Sequence, residues 1–502
     1  MAEIRKTSQD KGSYRSILKS TSLIGGASVL NILIGMVRTK FVAILLGPTG
    51  VGLFGMYGQI TGLVGSATGL GIGSSGVRQV AEAVGTEDNE RIARTIITLR
   101  RAVWLTGSLG MLVMIVLCVP ISLITFGNHD YALPIAILGV TLLFGAIASG
   151  QGCILNGTRR IGDLAKISVI GALTGTLISL PCFYFWGQGG IVPSLIFSSM
   201  ASLTTSWLFA RRVPVKTIVL TLRDSYDETR RLLSLGVSFM SAGLVTVLTG
   251  YLIRIILLRQ FGLSDIGIYQ AAFNLSGILV GFVLGAMGID YYPRLTAVAS
   301  DNVSVHSMVN EQSQISILLS LPGLAAMMVF APLIIQLFYA ASFATAVPIL
   351  RWCIMGILGR VFSWPLGFVI LAKGRGKLFL VTEVIGSVFH LVGVFAFIRL
   401  WGLKGAGIAF MGLNVFFMAL MLLVMRRVVG ATWTRHTFML VLLSCTVMIT
   451  LMLNCSLNIN TIVVWILNLG ILGVVIGLCL QQLLRSTDYN IKILFARVFK
   501  NG

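Results

Sequence analysis

The residues best able to do chemistry in this 502-residue chain are charges set inside apolar runs. Arg38 and Lys40 stand in "IGMVRTKFVAILLG", Arg254 in "YLIRIILLRQFG", and Arg351 and Arg360 in the apolar run from about 346 to 372. Asp290 ends one such run, Glu383 sits near one end of another, and His390 lies deeper in it. A charge in hydrocarbon is costly, so each is a candidate for function. No Asp or Glu falls in the middle of the first six runs, which predicts a positive cavity. A guanidinium offers a planar fork that matches phosphate oxygens. Arg38, Arg254, Arg360 and Lys40 are therefore the candidate substrate-binding residues, for an anionic headgroup of the phosphate or pyrophosphate kind. Asp290, Glu383 and His390 are the candidates for ion coupling or salt-bridging. Each has a plainer reading: an arginine that snorkels or caps a helix, a carboxylate in a local ion pair, a histidine that only packs.

Enzyme chemistry has little to stand on. The four histidines, at 129, 306, 390 and 436, are scattered, and no Ser/His/Asp or paired-carboxylate constellation appears. The seven cysteines show no C-x-x-C spacing. "GIGSSG" at 71–76 matches G-x-G-x-x-G but ends an apolar helix instead of following a strand, and no G-x-x-x-x-G-K-[ST] exists. No catalytic residue, cofactor or metal is expected.

The elements that must carry these charges are membrane helices. The chain is 56% hydrophobic and 11% charged, with mean hydropathy +0.93. Fourteen apolar spans are predicted, from about 17–46 and 51–77 to about 437–456 and 460–484, each long enough for roughly 30 Å of hydrocarbon. The net charge of +21 would suggest nucleic acid in a soluble chain. Here it is one-sided. Arg5, Lys6, Lys11 and Arg15 precede the first span, Arg78, Arg91, Arg94, Arg100 and Arg101 follow the second, and Arg211 and Arg212 follow the sixth. The opposite loops hold Arg259, Arg399 and Lys404. The positive-inside rule then predicts both termini in the cytoplasm and no nucleic-acid partner.

One phrase is written twice. Adding 215 pairs Gly47 with Gly262, Thr49 with Ser264, Gly52 with Gly267 and Phe54 with Tyr269. The same offset pairs Trp186-Gly187 with Trp401-Gly402 and Arg211-Arg212-Val213 with Arg426-Arg427-Val428. The expected organisation is an N-lobe over 1–213, a cytoplasmic linker over 214–233, a C-lobe over 234–428, and two further spans with a tail over 429–502. Both six-span copies begin on the same side, so they are parallel repeats, an arrangement found in transporters. The phrase itself reads as a tight external turn. The glycines after it, Gly58, Gly62, Gly65, Gly69 and Gly73, read as a close helix-packing face.

The basic N-terminus, the arginine of the first helix, "LGPTGVGLFGMY", the Gly-rich second helix ending "SSGVRQVAE" and the six-plus-six repetition together resemble the O-antigen translocases. These are the Wzx-type flippases of the MOP superfamily's polysaccharide branch. The resemblance covers nearly the whole chain. It implies an all-α polytopic, MATE-like fold with two six-helix lobes around a cationic cavity. It further implies an undecaprenyl-pyrophosphate-linked oligosaccharide moved to the outer leaflet of a bacterial inner membrane. Headgroup arginines of related flippases fall on Arg38 and Arg254. Implied partners are the lipid-linked oligosaccharide, membrane lipids and the polysaccharide polymerase machinery. Three other readings compete: a lipid II flippase, a multidrug cation antiporter, which would want an acidic cavity, and a membrane-embedded glycosyltransferase, which would want catalytic carboxylates.

Overall fold

The structure is a computed structural model that describes the backbone of residues 2–216, 218, 221–456 and 461–486. Lys492, Arg497 and Lys500 of the expected tail lie outside the described residues, as do the side chains of Arg5, Lys6, Lys11 and Arg15 and of 222–239 in the linker region. Every described element is helical. The helices are α1 (Ala2–Thr68), α2 (Ile72–Gly85), α3 (Asn89–Val116), α4 (Cys118–Phe126), α5 (Ala132–Gly157), α6 (Ile161–Trp186), α7 (Ile191–Ala210) and α8 (Leu222–Phe261). They continue as α9 (Leu263–Ala297), α10 (Asn302–Val329), α11 (Ala331–Phe338), α12 (Ala346–Ala372), α13 (Gly376–Trp401), α14 (Lys404–Val429), α15 (Arg435–Ser456) and α16 (Thr461–Ser486).

Large apolar side chains point outward all along these helices. Leu105, Val116, Leu177, Phe185, Val392 and Leu400 are each between 64% and 75% exposed. In water such a surface would aggregate, whereas lipid tails are as apolar as leucine and charge nothing for it. The chain is a multi-pass membrane protein. Among the described residues, eleven segments are long and apolar enough to cross a membrane, or twelve if the bent pair Leu263–Ile278 and Val283–Ala297 is one crossing. The number of segments is lower than the expected fourteen crossings, because two of the segments are of double length. The physical reason is that helices run on through their turns: Gly25–Thr68 has 44 residues and Ile161–Ala210 has 50. At about 1.5 Å per residue, each is roughly twice the hydrocarbon thickness. α1 is interrupted at Gly47 (φ 64°, ψ −170°), a conformation open essentially to glycine alone. The second long segment breaks at the 3-10 turn Gly187–Gly190.

The 215-residue repeat is visible in the backbone. Gly47 and Gly262 are both left-handed in φ, as are Arg159 and Gly374, and Gly187 and Gly402. Asp88 caps α3 by accepting the Glu90 N–H at 2.9 Å. Asp301 caps α10 in the same way through the Val303 N–H at 3.0 Å. The Ser304 hydroxyl, followed by that N–H, holds the Asp301 carboxyl below the usual carboxylate range. Both capped helices stop one residue short of a brief continuation, at Leu117 before α4 and at Phe330 before α11.

The chain divides into two compact units, Met1–Gly267 and Ile268–Gly502. In the first, α5 packs on α2, α3 and α7, and α1 on α6 and α8. Its core near Arg101 gathers Ile96, Leu99, Val103, Ile154 and Phe209. α8 belongs to this unit because it is pinned there. Tyr251 and Thr125 share a hydroxyl hydrogen bond of 2.5 Å. Arg259 donates to the carbonyls of Leu123 and Ile124 at the end of α4, placing a cation on a helix C-terminus.

In the second unit α12 packs on α10 and α14, and α13 on α14. The last two helices dock on α10. There the buried Asn310 accepts from the Thr434 N–H and the Thr437 hydroxyl, each at 2.8 Å, and Gln314 donates to Thr437 at 2.9 Å. Asn310→Ala should strand both donors and cost about 1–3 kcal/mol. Thermal unfolding of the purified protein in detergent should show the lower midpoint, and an unchanged midpoint would mean that α15 is held by apolar contact alone.

Candidate functional site

Three of the four candidate substrate-binding cations, Arg38, Lys40 and Arg254, lie in the membrane part of the first unit. Arg38 sits nine residues before the Gly47 break, on the first arm of α1. Its guanidinium lies 5.3 Å from the ring centre of Phe54, on the second arm. Phe54 in turn meets Phe183 of α6 edge-on at 6.3 Å. The ring buries the cation without supplying an acceptor: Nε and Nη2 of Arg38 are buried and have no hydrogen-bond partner. The N–H donors on these two nitrogens are not spent on protein and are available to an anion. Arg254, on α8, is 6% exposed and donates through Nη1 to the Gly250 carbonyl at 3.0 Å. Gly250 has no side chain to separate this guanidinium from Gln59 of α1: a methyl built there would stand 3.2 Å from Arg254 Nη1 and 3.6 Å from Gln59 Oε1. Arg38 and Arg254 thus both belong to Met1–Gly267, on two helices that pack together. Lys40 is half-buried two turns before the same break.

The second unit carries Arg360. It lines a cavity of about 570 Å3 together with Trp364, Phe368, Tyr292 and the glycine face of α9. Trp364 and Phe368 pack at 4.7 Å, and Tyr292 meets Phe368 at 5.6 Å. Gly288 lets the indole in, since a methyl there would lie 3.2 Å from it. The first unit has a cavity of about 450 Å3 at the same register, with Gly145 where Arg360 stands and Ser149 where Trp364 stands. Its wall carries the hydroxyls of Ser66, Thr68, Ser74, Thr106 and Thr141 beside the apolar side chains of Val103, Leu142, Leu244 and Val247. The two copies of the repeat thus line corresponding cavities with different chemistry, hydroxyls and aliphatic side chains in one and a cation with aromatic rings in the other.

The remaining candidates separate. Glu383 is half-buried on α13. Asp290 is exposed and forms a one-turn ion pair with Arg294 at 3.1 Å. His390 is buried with Nε2 unpartnered, its ring 6.0 Å from Phe410. Arg351 donates to the Cys455 carbonyl at 3.3 Å, tying α12 to the end of α15. The glycine-face expectation needs correction. Gly58 and Gly62 face open space, with nothing within 4 Å of an added methyl. Gly65 does approach Leu142, at 3.2 Å. The close crossing is instead made by Gly52 and Gly267, each facing backbone of the other copy of the phrase. Among the described residues no group of His, Cys, Asp and Glu could hold a metal ion.

Comparison with known proteins meets this geometry. Residues 17–299 match the polysaccharide biosynthesis protein family. The chain belongs to that family. The lipid III flippase of Escherichia coli (strain K12) is 23% identical over 419 residues, 81% of this chain and 97% of that protein. Two solved structures share the fold. One is an inward-facing multidrug resistance MATE family transporter of the MOP superfamily, with TM-score 0.69 and 15% identity over 82% of this chain and 98% of that one. The other is the lipid II flippase MurJ in an inward closed conformation, with TM-score 0.65 and 14% identity over 94% and 99%. With a flippase relative and transporters of the same MATE-like fold, this family member is a transporter rather than an enzyme.

Proposed function

We propose that this transporter is a flippase for a polyprenyl-pyrophosphate-linked oligosaccharide, moving it from the cytoplasmic to the outer leaflet of the bacterial inner membrane. The observation that carries the reading is the Arg38 guanidinium, buried with two nitrogens lacking a partner. Buried polar groups are nearly always satisfied, and a standing exception calls for a ligand. Arg254 supplies the second fork for the pyrophosphate, with Lys40 adding charge beside the Gly47 break. Arg360, Trp364 and Phe368 suit the sugars, whose C–H faces stack on aromatic rings and whose hydroxyls accept from a guanidinium. Glu383 and His390 are the groups left for coupling, and Asp290 serves a surface ion pair. The family, its flippase relative and the fold support a lipid-linked precursor as cargo. An O-antigen-type repeat unit is favoured over lipid II by the family match over the N-terminal half. A cation antiporter is disfavoured by a site whose charges, Arg38, Lys40 and Arg254, are all positive.

Binding of undecaprenyl pyrophosphate, undecaprenyl phosphate and undecaprenol to the purified protein tests the headgroup. Affinity should fall in that order, by about tenfold per step. Equal binding of the alcohol would remove the anion site. The orientation has its own test. With both termini and the 213–233 segment cytoplasmic, Thr49→Cys and Ser264→Cys at the two glycine turns should react with an impermeant thiol reagent added outside. Reaction of both from the cytoplasmic face alone would invert the topology.

A further inference from the structure

A second cavity, of about 810 Å3, lies in the first unit away from Arg38 and Arg254. α5 packs on both α3 and α7 and floors it with Gln151. Its rims carry Arg100 and Trp104 from α3 and Trp207 and Arg211 from the end of α7. Trp104 is 54% exposed and Trp207 50%, so the groove opens to the surroundings of the helix bundle. Arg100 stands one turn before Trp104, and Arg211 one turn after Trp207. On helices that cross in opposite senses, this sets both guanidinium groups at one level and both indoles about 5.4 Å deeper. Tryptophan collects at the headgroup level of a bilayer. The Arg211 guanidinium lies over the Trp207 ring at 5.0 Å, which pre-orients it. Gln151, itself 8% exposed, is fixed by the Ser206 hydroxyl. Among the described residues no carboxylate lines the groove.

We propose that this groove holds one anionic glycerophospholipid of the surrounding bilayer, its phosphodiester between Arg100 and Arg211 and its acyl chains against Trp104 and Trp207. Basic pockets between membrane helices select such headgroups. Two forks facing one space suit phosphate oxygens, and the cavity lies within the size range of ligand pockets. The occupant bridges α3, α5 and α7, so bilayer composition sets how firmly the first unit is held. The substrate plays no part in this reading, which stands apart from the flippase assignment.

Full-length protein in mild detergent, titrated with palmitoyl-oleoyl phosphatidylglycerol or with the zwitterionic phosphatidylcholine of the same chains, tests it by native mass spectrometry. The phosphatidylglycerol should bind at least tenfold tighter. Arg100→Ala, Arg211→Ala together should erase that preference, while Arg100→Lys, Arg211→Lys should keep part of it, because the charge survives and the fork does not. Binding of undecaprenyl pyrophosphate should be the same in the wild type and the double alanine variant. Equal binding of the two phospholipids by the wild type, or an unchanged preference in the alanine variant, would overturn the proposal. Loss of undecaprenyl pyrophosphate binding in that variant would also overturn it and give the groove to the polyprenyl substrate.

Discussion

Arg38→Ala or Arg254→Ala should abolish surface polysaccharide in a flippase-deficient strain that the wild-type chain complements, while the amount of inserted protein stays the same. Each guanidinium would make charge-assisted contacts to the pyrophosphate. Losing one costs about 1.5–3 kcal/mol, or roughly ten- to a hundred-fold in binding. The two arginines differ in what else they do, and so in what their lysine variants should show. Arg38 contacts the Phe54 ring and leaves Nε and Nη2 unspent. Arg38→Lys retains a cation over that ring but only a point charge toward the ligand, so partial rescue is expected. Arg254 is more deeply buried and also donates to Gly250. Arg254→Lys should rescue less, because a shorter reach and a lost fork act together. A structural arginine behaves differently: its removal lowers the protein level, and lysine replaces it well. Arg351, which donates to the Cys455 carbonyl across to α15, is the internal control for that behaviour. Full surface polysaccharide from the Arg38→Ala, Arg254→Ala double variant would remove the anion site and leave the fold intact.

The parts legible in the sequence were those that chemistry fixes locally. Membrane helices follow from apolar length. The repeat was readable because a left-handed turn demands glycine, and Gly47 and Gly262, like Gly187 and Gly402, keep that demand at a constant offset. Arg38, Arg254 and Arg360 stood out because charge is rare in hydrocarbon. What they face was not readable. Phe54 comes to Arg38 only because α1 folds back at Gly47, and Gln59 approaches Arg254 across two helices. Trp364 and Phe368 follow Arg360 at four-residue spacing, so their shared face was visible. Their cavity was not, since its opposite wall is the glycine face of α9. The groove of Arg100 and Arg211 was hidden for a related reason: both had been counted as ordinary positive-inside charges. Glycine spacing misled most. A four-residue period puts Gly58 and Gly62 on one helix face but carries no information about whether a neighbour covers it. The borders between spans were least legible where helices nearly fuse: α6 runs into the Gly187–Gly190 turn and on into α7 with hardly a break.

Gly52→Ala and Gly267→Ala should each destabilise the protein sharply, and for the same reason. The repeat maps Pro48 onto Leu263 and Gly52 onto Gly267, and these four residues meet one another within the first unit. A methyl on Gly52 would run into the Leu263 carbonyl, and a methyl on Gly267 into the Pro48 carbonyl. Each would also come within 3.0 Å of the other glycine's nitrogen. Backbone atoms cannot rotate aside as a side chain can, so the helices must separate. Overpacking costs about 1–3 kcal/mol, and a rigid obstacle puts these substitutions at the upper end. Gly58→Ala and Gly62→Ala, six and ten residues further along the same helix, meet nothing within 4 Å and should be neutral or slightly stabilising. Unfolding midpoints of the purified variants in detergent give the comparison. The double variant adds a sharper reading. Both methyls act on one crossing, so once the first has pushed the helices apart the second has less left to disturb. The combined loss should fall short of the two single losses added together, by about 0.5 kcal/mol or more. Simple additivity would mean that the glycines are accommodated independently. A wild-type midpoint in either single variant would mean that the reciprocal contact is not what requires glycine in both copies of the phrase.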